Sequence, residues 1–143
     1  GADGRMLGAE AQLSVALTDR LLAEATASYV RGTLVDSDEP LPLMPPLNGR
    51  AGVRYERTDW FAGTEVRWAD RQDRLGALET PTAGYAVWGL SAGYRTTLGG
   101  RLHSLTLRVD NLTDQEYRNH LARTKEFMPE AGRGVSLVYR VVY

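Results

Sequence analysis

The side chains read first for chemistry are the imidazoles, carboxylates and hydroxyls. The sequence holds two histidines and no cysteine. That removes disulfide frameworks, thiolate metal sites and thiol nucleophiles, and leaves His, Asp and Glu as possible metal ligands. His120 has Glu116, Lys125 and Glu126 as neighbours in sequence, a setting for a ligand contact in a loop. Holding zinc or iron would need further ligands to converge on it, so a solvated loop histidine is the plainer expectation. His103 stands beside a turn, with less to suggest a role. Asp36, Asp38 and Glu39 gather carboxylates in one loop, as a calcium or cationic-substrate site does, although an acidic loop is ordinarily just hydrated. A Ser-His-acid triad needs its members held within hydrogen-bond reach. No serine here sits in a recognisable elbow or paired motif, so no catalytic residue is assigned and no cofactor is called for.

The bulk properties narrow the classes further. At 143 residues with a net charge of −1, the chain suits one domain, and its charge balance argues against a nucleic-acid surface or a polybasic membrane anchor. No apolar run approaches the roughly 20 residues of a transmembrane helix. The opening Gly1-Ala2-Asp3-Gly4 is neither a signal peptide nor a natural start, which suggests an internal or processed piece. Modest overall hydropathy is compatible with a barrel in a membrane, whose strands show lipid only every second residue.

The elements that must position these residues are strands. Segments of about ten residues alternate apolar and polar with turn signals between them, and seven are expected. In the first, Leu7, Ala9, Ala11, Leu13, Val15 and Leu17 oppose Glu10, Gln12 and Ser14; Thr18-Asp19-Arg20 turns it. In the second, about Leu21 to Arg31, Leu21, Ala23, Ala25, Ala27 and Tyr29 oppose Glu24, Thr26 and Ser28. A long connection from Gly32 to about Pro46 carries four prolines, which cannot donate to a ladder. The third sets Leu47, Ala51, Val53 and Tyr55 against Arg50, Gly52, Arg54 and Glu56, and turns at Arg57-Thr58-Asp59. The fourth sets Trp60, Ala62, Thr64, Val66 and Trp68 against Gly63, Glu65, Arg67 and Arg71, before a long loop to Thr82. The fifth sets Ala86, Trp88, Leu90, Ala92 and Tyr94 against Tyr85, Gly89, Ser91 and Gly93, with a turn expected at Thr96 to Gly100. The sixth sets Leu105, Leu107 and Val109 against Ser104, Thr106, Arg108 and Asp110. A long loop from Arg118 to about Ala131 leads to the last strand, where Val135, Leu137, Tyr139, Val141 and Tyr143 share one face and Ser136 and Arg140 the other.

Short and long connections alternate, as periplasmic turns and extracellular loops do in an up-and-down membrane barrel. The polar face carries too many ionised groups for a dry core. Tyrosines and tryptophans gather near strand ends, where a ring can bury its body in lipid and hydrate its tip. On this reading His103 faces the periplasm. The alternative is a soluble β-barrel or sandwich that binds a small ligand, with the charged face outermost; an outer-membrane enzyme is a weaker reading.

Two stretches carry a family resemblance. One is Asn111-Leu112-Thr113-Asp114-Gln115-Glu116-Tyr117, and the other begins at Gly132-Arg133-Gly134, shortly after Pro129, and continues into the alternating final strand. Together they resemble the carboxyl-terminal part of TonB-dependent outer-membrane receptors. Pro45-Pro46-Leu47-Asn48-Gly49-Arg50, Trp60-Phe61-Ala62-Gly63 and Gly84-Tyr85 support the likeness, which covers essentially the whole chain. It implies an all-β, antiparallel, up-and-down transmembrane segment of about seven strands, residues 1–143 being the carboxyl-terminal fragment of a plugged barrel of roughly 22 strands, with no plug domain of its own.

The resemblance also implies function and partners. The whole receptor would import a scarce nutrient, such as a ferric siderophore or another metal complex, across the bacterial outer membrane. Its partners would be outer-membrane lipid, the remaining barrel and plug, the TonB system acting through that plug, and the barrel-assembly machinery. That machinery reads a closing strand with a terminal aromatic, so Val135, Leu137, Tyr139, Val141 and Tyr143 are the implied assembly signal. Asn111, Leu112, Thr113, Asp114, Tyr117, Gly132 and Arg133 are the implied family motif, and His120 is the residue singled out as an extracellular ligand contact. Physically, Asn111 and Asp114 suit a bend where a strand leaves the membrane. Gly132 and Gly134 suit a tight entry into the last strand. The sequon Asn111-Leu112-Thr113 reads as an accident.

Overall fold

The computed structural model describes residues 3–143. Seven strands follow in chain order: β1 (Gly4–Thr18), β2 (Leu21–Leu34), β3 (Asn48–Glu56), β4 (Trp60–Ala69), β5 (Tyr85–Leu98), β6 (Arg101–Asp110) and β7 (Gly134–Val142). They form one antiparallel sheet in sequence order, each strand hydrogen-bonded to the next. This is the expected up-and-down all-β architecture.

The register carries the two faces across the whole sheet. Leu21 lies opposite Tyr55, Tyr55 opposite Ala62, Ala62 opposite Ala92, Ala92 opposite Leu107, and Leu107 opposite Leu137. A polar row beside it passes through Arg54, Gly63, Ser91, Arg108 and Ser136. A slip of one residue would invert every one of these assignments, so the sequence alternation itself fixes the pairing. Residues from β1 to β6 border one shared hollow of about 220 Å³, with Gln12, Glu24, Arg54, Glu65 and Arg108 among them. The sheet therefore curls around its polar face and turns its apolar face outward.

No water-soluble core results. Among the described residues the buried apolar side chains are Ala69 and Val87, whereas Leu7, Leu13, Leu107, Leu137 and Tyr139 stand exposed. A soluble protein does not leave so continuous an apolar surface uncovered. The sheet is also open, because β1 and β7 each pair on one side only. Their free edges carry unpaired peptide groups that lipid cannot satisfy, in keeping with the odd strand number expected from sequence.

Several boundaries differ from the sequence expectation. β5 continues to Leu98, with Thr96 opposite His103 and Thr97 opposite Leu102. The turn is only Gly99-Gly100, both at positive φ (57° and 75°). A two-residue turn of that hand matches strand twist, and β-branched threonines extend the ladder rather than end it. β6 accordingly begins at Arg101, earlier than expected. β1 and β2 continue past Leu7 and Arg31, with Gly4 opposite Leu34. At the other end of that hairpin, Thr18 Oγ1 accepts the Arg20 and Leu21 amides at 3.2 and 3.0 Å.

Candidate functional site

The three long connections gather at the end of the sheet away from the short turns: loop L1 (residues 35–47), loop L2 (70–84) and loop L3 (111–133). His120 of L3 is buried, only 3% exposed, instead of solvated. Its Nδ1 lies 2.9 Å from Thr82 Oγ1 and 3.3 Å from Lys125 Nζ. An ammonium can only donate, so the Nδ1 lone pair is engaged and the neutral ring carries its proton on Nε2. Nε2 has no hydrogen-bond partner, and Glu79 Oε1 stands 3.6 Å away, beyond hydrogen-bond range.

Glu79 draws in the other loops. Its Oε1 accepts the Leu43 amide of L1 at 2.7 Å and its Oε2 the Gly76 amide at 2.8 Å. Lys125 donates to the Thr80 carbonyl at 3.0 Å, and Thr80 donates to Glu126. Gln72 and Arg74 of L2 complete the knot, with Gln72 Nε2 donating to Met44 O at 2.7 Å and Arg74 to Gly32 O and Thr33 Oγ1, both at 2.8 Å.

The electrostatics follow from burial. Desolvation, reinforced by the nearby Lys125 ammonium, holds His120 below the usual histidine range despite the opposing pull of Glu79. For Glu79 burial alone would raise the pKa, yet the Leu43 and Gly76 amides, His120 and Lys125 together bring it below the usual carboxylate range. A cation at His120 Nε2 would require the ring proton to move to Nδ1, against Lys125. Among the described residues, no three His, Asp or Glu side chains stand close enough to hold a metal ion. Asp36, Asp38 and Glu39 form an exposed hairpin tip, with the Asp38 amide donating to Leu34 O at 3.0 Å.

The motif residues meet at the neck of L3. Asn111 is 2% exposed and at positive φ (49°). Its Nδ2 donates to Gln115 O at 2.9 Å and Ala131 O at 3.3 Å, and its Oδ1 accepts the Gln115 amide at 2.9 Å. One side chain thus ties the outgoing chain to the returning one, and leaves no free amide for a glycan. Asp114, at φ 53°, accepts the Arg133 amide at 2.8 Å. Tyr117 rests on Tyr85, ring centroids 4.4 Å apart. Gly132 and Gly134 do not adopt positive φ, so the tight-bend expectation is corrected. At Gly132 a Cβ would sit 2.8 Å from Asp114 Oδ1, so any side chain there would displace that carboxylate, while Gly134 has open space. Leu112 continues the sheet bonding through its amide to Trp88 O at 2.8 Å. Thr113 is exposed.

The inner wall is layered by charge. Arg50 lies opposite Arg67, Gly52 lies between Glu24 and Glu65 in the next row, and Arg54 falls in the row after that. Ion pairs link the layers, Arg54 and Arg95 each reaching Glu56 at 3.1 Å and Arg108 reaching Asp110 at 3.4 Å. Each exposed pair contributes little to stability. Their joint consequence is a wall that suits water, and Arg54 also covers the inward Phe61 ring at 3.8 Å.

On the outer face, Val135, Leu137, Tyr139 and Val141 lie opposite Val109, Leu107, Leu105 and His103. Tyr143 follows by parity and is 90% exposed. His103 lies on this outer face near the start of β6, beside the Gly99-Gly100 turn, and is bonded to the Tyr139 hydroxyl. Sequence reasoning missed Glu79, Thr82, Gln72 and Arg74, none of which carries a local signal.

The comparisons agree with this geometry. The family described as "TonB dependent receptor-like, beta-barrel" matches residues 1–112. No curated protein matches the chain in sequence. Among solved structures, one described as "Copper transporter OprC" superposes with a TM-score of 0.83 at 32% identity, covering 92% of this chain and 22% of that one. The present chain thus spans about a fifth of that protein's length. With its outward apolar wall, water-lined inner wall and knotted loops, the chain belongs to the TonB-dependent receptor family and forms part of its β-barrel in the bacterial outer membrane.

Proposed function

We propose that this chain is the carboxyl-terminal part of a receptor that imports a scarce nutrient, a ferric siderophore or another metal complex, through a barrel closed by further strands and filled by a plug. The observation that carries the reading is the curled, open sheet with a charged inner wall and an apolar outer one. It supplies one sector of a water-filled lumen and cannot close alone. The plug would couple the receptor to the TonB system. Copper is the second cargo reading, favoured by the 32% identity to a protein described as a copper transporter. His120 would reach cargo only when the loops part, since its ring is buried. No catalytic role is assigned. The test is uptake by cells lacking the receptor gene, supplied with a labelled ferric siderophore or with copper. Loss of one and retention of the other identifies the cargo, and retention of both overturns nutrient import of this kind.

Val135, Leu137, Tyr139, Val141 and Tyr143 form the proposed signal read by the barrel-assembly machinery. Deleting Tyr143 from the full receptor is expected to lower the amount inserted, scored by heat-modifiable gel mobility, while cargo binding per folded molecule stays unchanged. Normal insertion would defeat the assembly role.

A further inference from the structure

The outer face is apolar through its middle, but at the end that carries the short turns it holds a polar group of four residues. Arg101 and His103 of β6 share the parity of Leu105 and Leu107. The Arg101 guanidinium lies over the Tyr143 ring, 4.5 Å from its centroid. His103 Nδ1 is hydrogen-bonded to the Tyr139 hydroxyl, the two rings 5.9 Å apart. When Nδ1 accepts a hydrogen bond from the hydroxyl, Nε2 carries the ring N–H and remains free to donate. His103 lies between Thr96 of β5 and Val141 of β7, and Arg101 opposite Leu98. None of the ion pairs among the described residues involves Arg101 or His103.

A permanently charged guanidinium on a lipid-facing wall is costly unless it reaches the interface and finds an anion. Arg101 directly follows the Gly99-Gly100 turn, so it stands at the height of the periplasmic headgroups. Its planar fork matches a phosphate bidentately, and stacking on Tyr143 holds that plane. We propose that Arg101 and His103, framed by Tyr139 and Tyr143, bind the phosphate of an inner-leaflet phospholipid. Arg101 supplies charge and two parallel donors, His103 supplies one further donor, and the tyrosine rings lie along the acyl chains where these meet the headgroup. The occupant follows from charge: the site offers donors and a cation, faces lipid, and among the described residues no carboxylate stands within ion-pair distance of Arg101 or His103.

The test uses the full receptor, stripped of lipid in detergent and titrated with phosphatidylglycerol, with bound lipid counted by native mass spectrometry on the heat-modifiable, folded fraction. Replacing both residues, Arg101→Ala with His103→Ala, removes the guanidinium fork and the imidazole donor together and is expected to weaken phosphatidylglycerol binding by about tenfold or more. Arg101→Lys, which keeps charge but loses the fork, is expected to retain part of the affinity. Diacylglycerol, without a phosphate, and soluble glycerol phosphate, without acyl chains, are both expected to bind poorly. Arg95→Ala, on the lumen side at a similar height, serves as the control and should bind as the unaltered receptor does. Wild-type affinity in the double variant, or an equal loss in Arg95→Ala, overturns the proposal. Should the alanine pair fold poorly, Arg101→Gln with His103→Gln is read in its place, to the same two outcomes.

Discussion

The strand wall and the loop knot are built by different physics. Across the wall, every strand repeats one rule, with apolar residues at alternate positions, so Ala62, Ala92, Leu107 and Leu137 line up through backbone register alone. In the knot nothing repeats. Glu79, His120, Thr82 and Lys125 meet through single polar contacts between segments far apart in sequence. The wall draws its stability from solvent, lipid on one side and water on the other, whereas the knot draws its own from satisfying buried polar groups. Changes that reverse a face should therefore cost most in the wall, and changes in proton or hydrogen-bond inventory should act in the loops.

The largest effect is expected in the wall. Leu107 faces outward between Ala92 and Leu137, and Leu107→Arg should destabilise the assembled receptor by about 2–4 kcal/mol, with Thr106→Arg on the inner face costing much less. Urea unfolding in detergent measures both. Equal losses would erase the distinction between the faces.

A smaller loss is expected at the neck of L3. Asn111→Ala removes both hydrogen bonds that Nδ2 donates and the one that Oδ1 accepts, leaving the Gln115 and Ala131 carbonyls and the Gln115 amide without those partners. A cost of about 1–3 kcal/mol follows. It should appear in hydrogen exchange as faster opening of residues 111–133 while β3 and β4 keep their protection. Loss of protection throughout the sheet would mean that the neck and the wall unfold together.

How much of this was legible follows from the same contrast. Strand faces were readable because a period of two is visible in any ten residues. The strand ends are less so: the sequence suggests a turn from Thr96 on, whereas within residues 96–100 only Gly99 and Gly100 adopt positive φ. Asn111 and Asp114 were legible as a bend because short polar side chains tolerate that backbone. His120 was misjudged as solvated, since what buries it comes from L2. Thr82 lies 38 residues before it, and the Leu43 amide that anchors Glu79 is 36 residues before that acid. No local pattern announces either contact.

The smallest expected effect is one of pH. His120 has its folded pKa below the ordinary value of about 6.5, so it binds its proton more readily once the loops open. Its contribution to loop packing is therefore complete above about pH 6.5 and declines as pH falls toward the folded pKa. Glu79, depressed as well, keeps its contribution above the unfolded carboxylate range and loses it as pH falls through its own folded value. Hydrogen exchange in L2 and L3 should accelerate on acidification, while β3 and β4 stay constant. His120→Gln should flatten the upper part of that dependence. An unchanged profile in the variant would remove His120 from the knot's proton balance.

The central claim is that one face of this sheet meets lipid and the other water. This chain has no cysteine, so in the full receptor, with any cysteine outside these residues replaced, single cysteines can be introduced along β4 at Ala62, Gly63, Thr64, Glu65, Val66 and Arg67 and labelled with a fluorophore. With nitroxide-bearing lipid in the bilayer, quenching is expected at Ala62→Cys, Thr64→Cys and Val66→Cys. The alternate positions, Gly63→Cys, Glu65→Cys and Arg67→Cys, should instead respond to a water-soluble quencher. A flat profile, or one of opposite phase, would contradict the assignment of the faces.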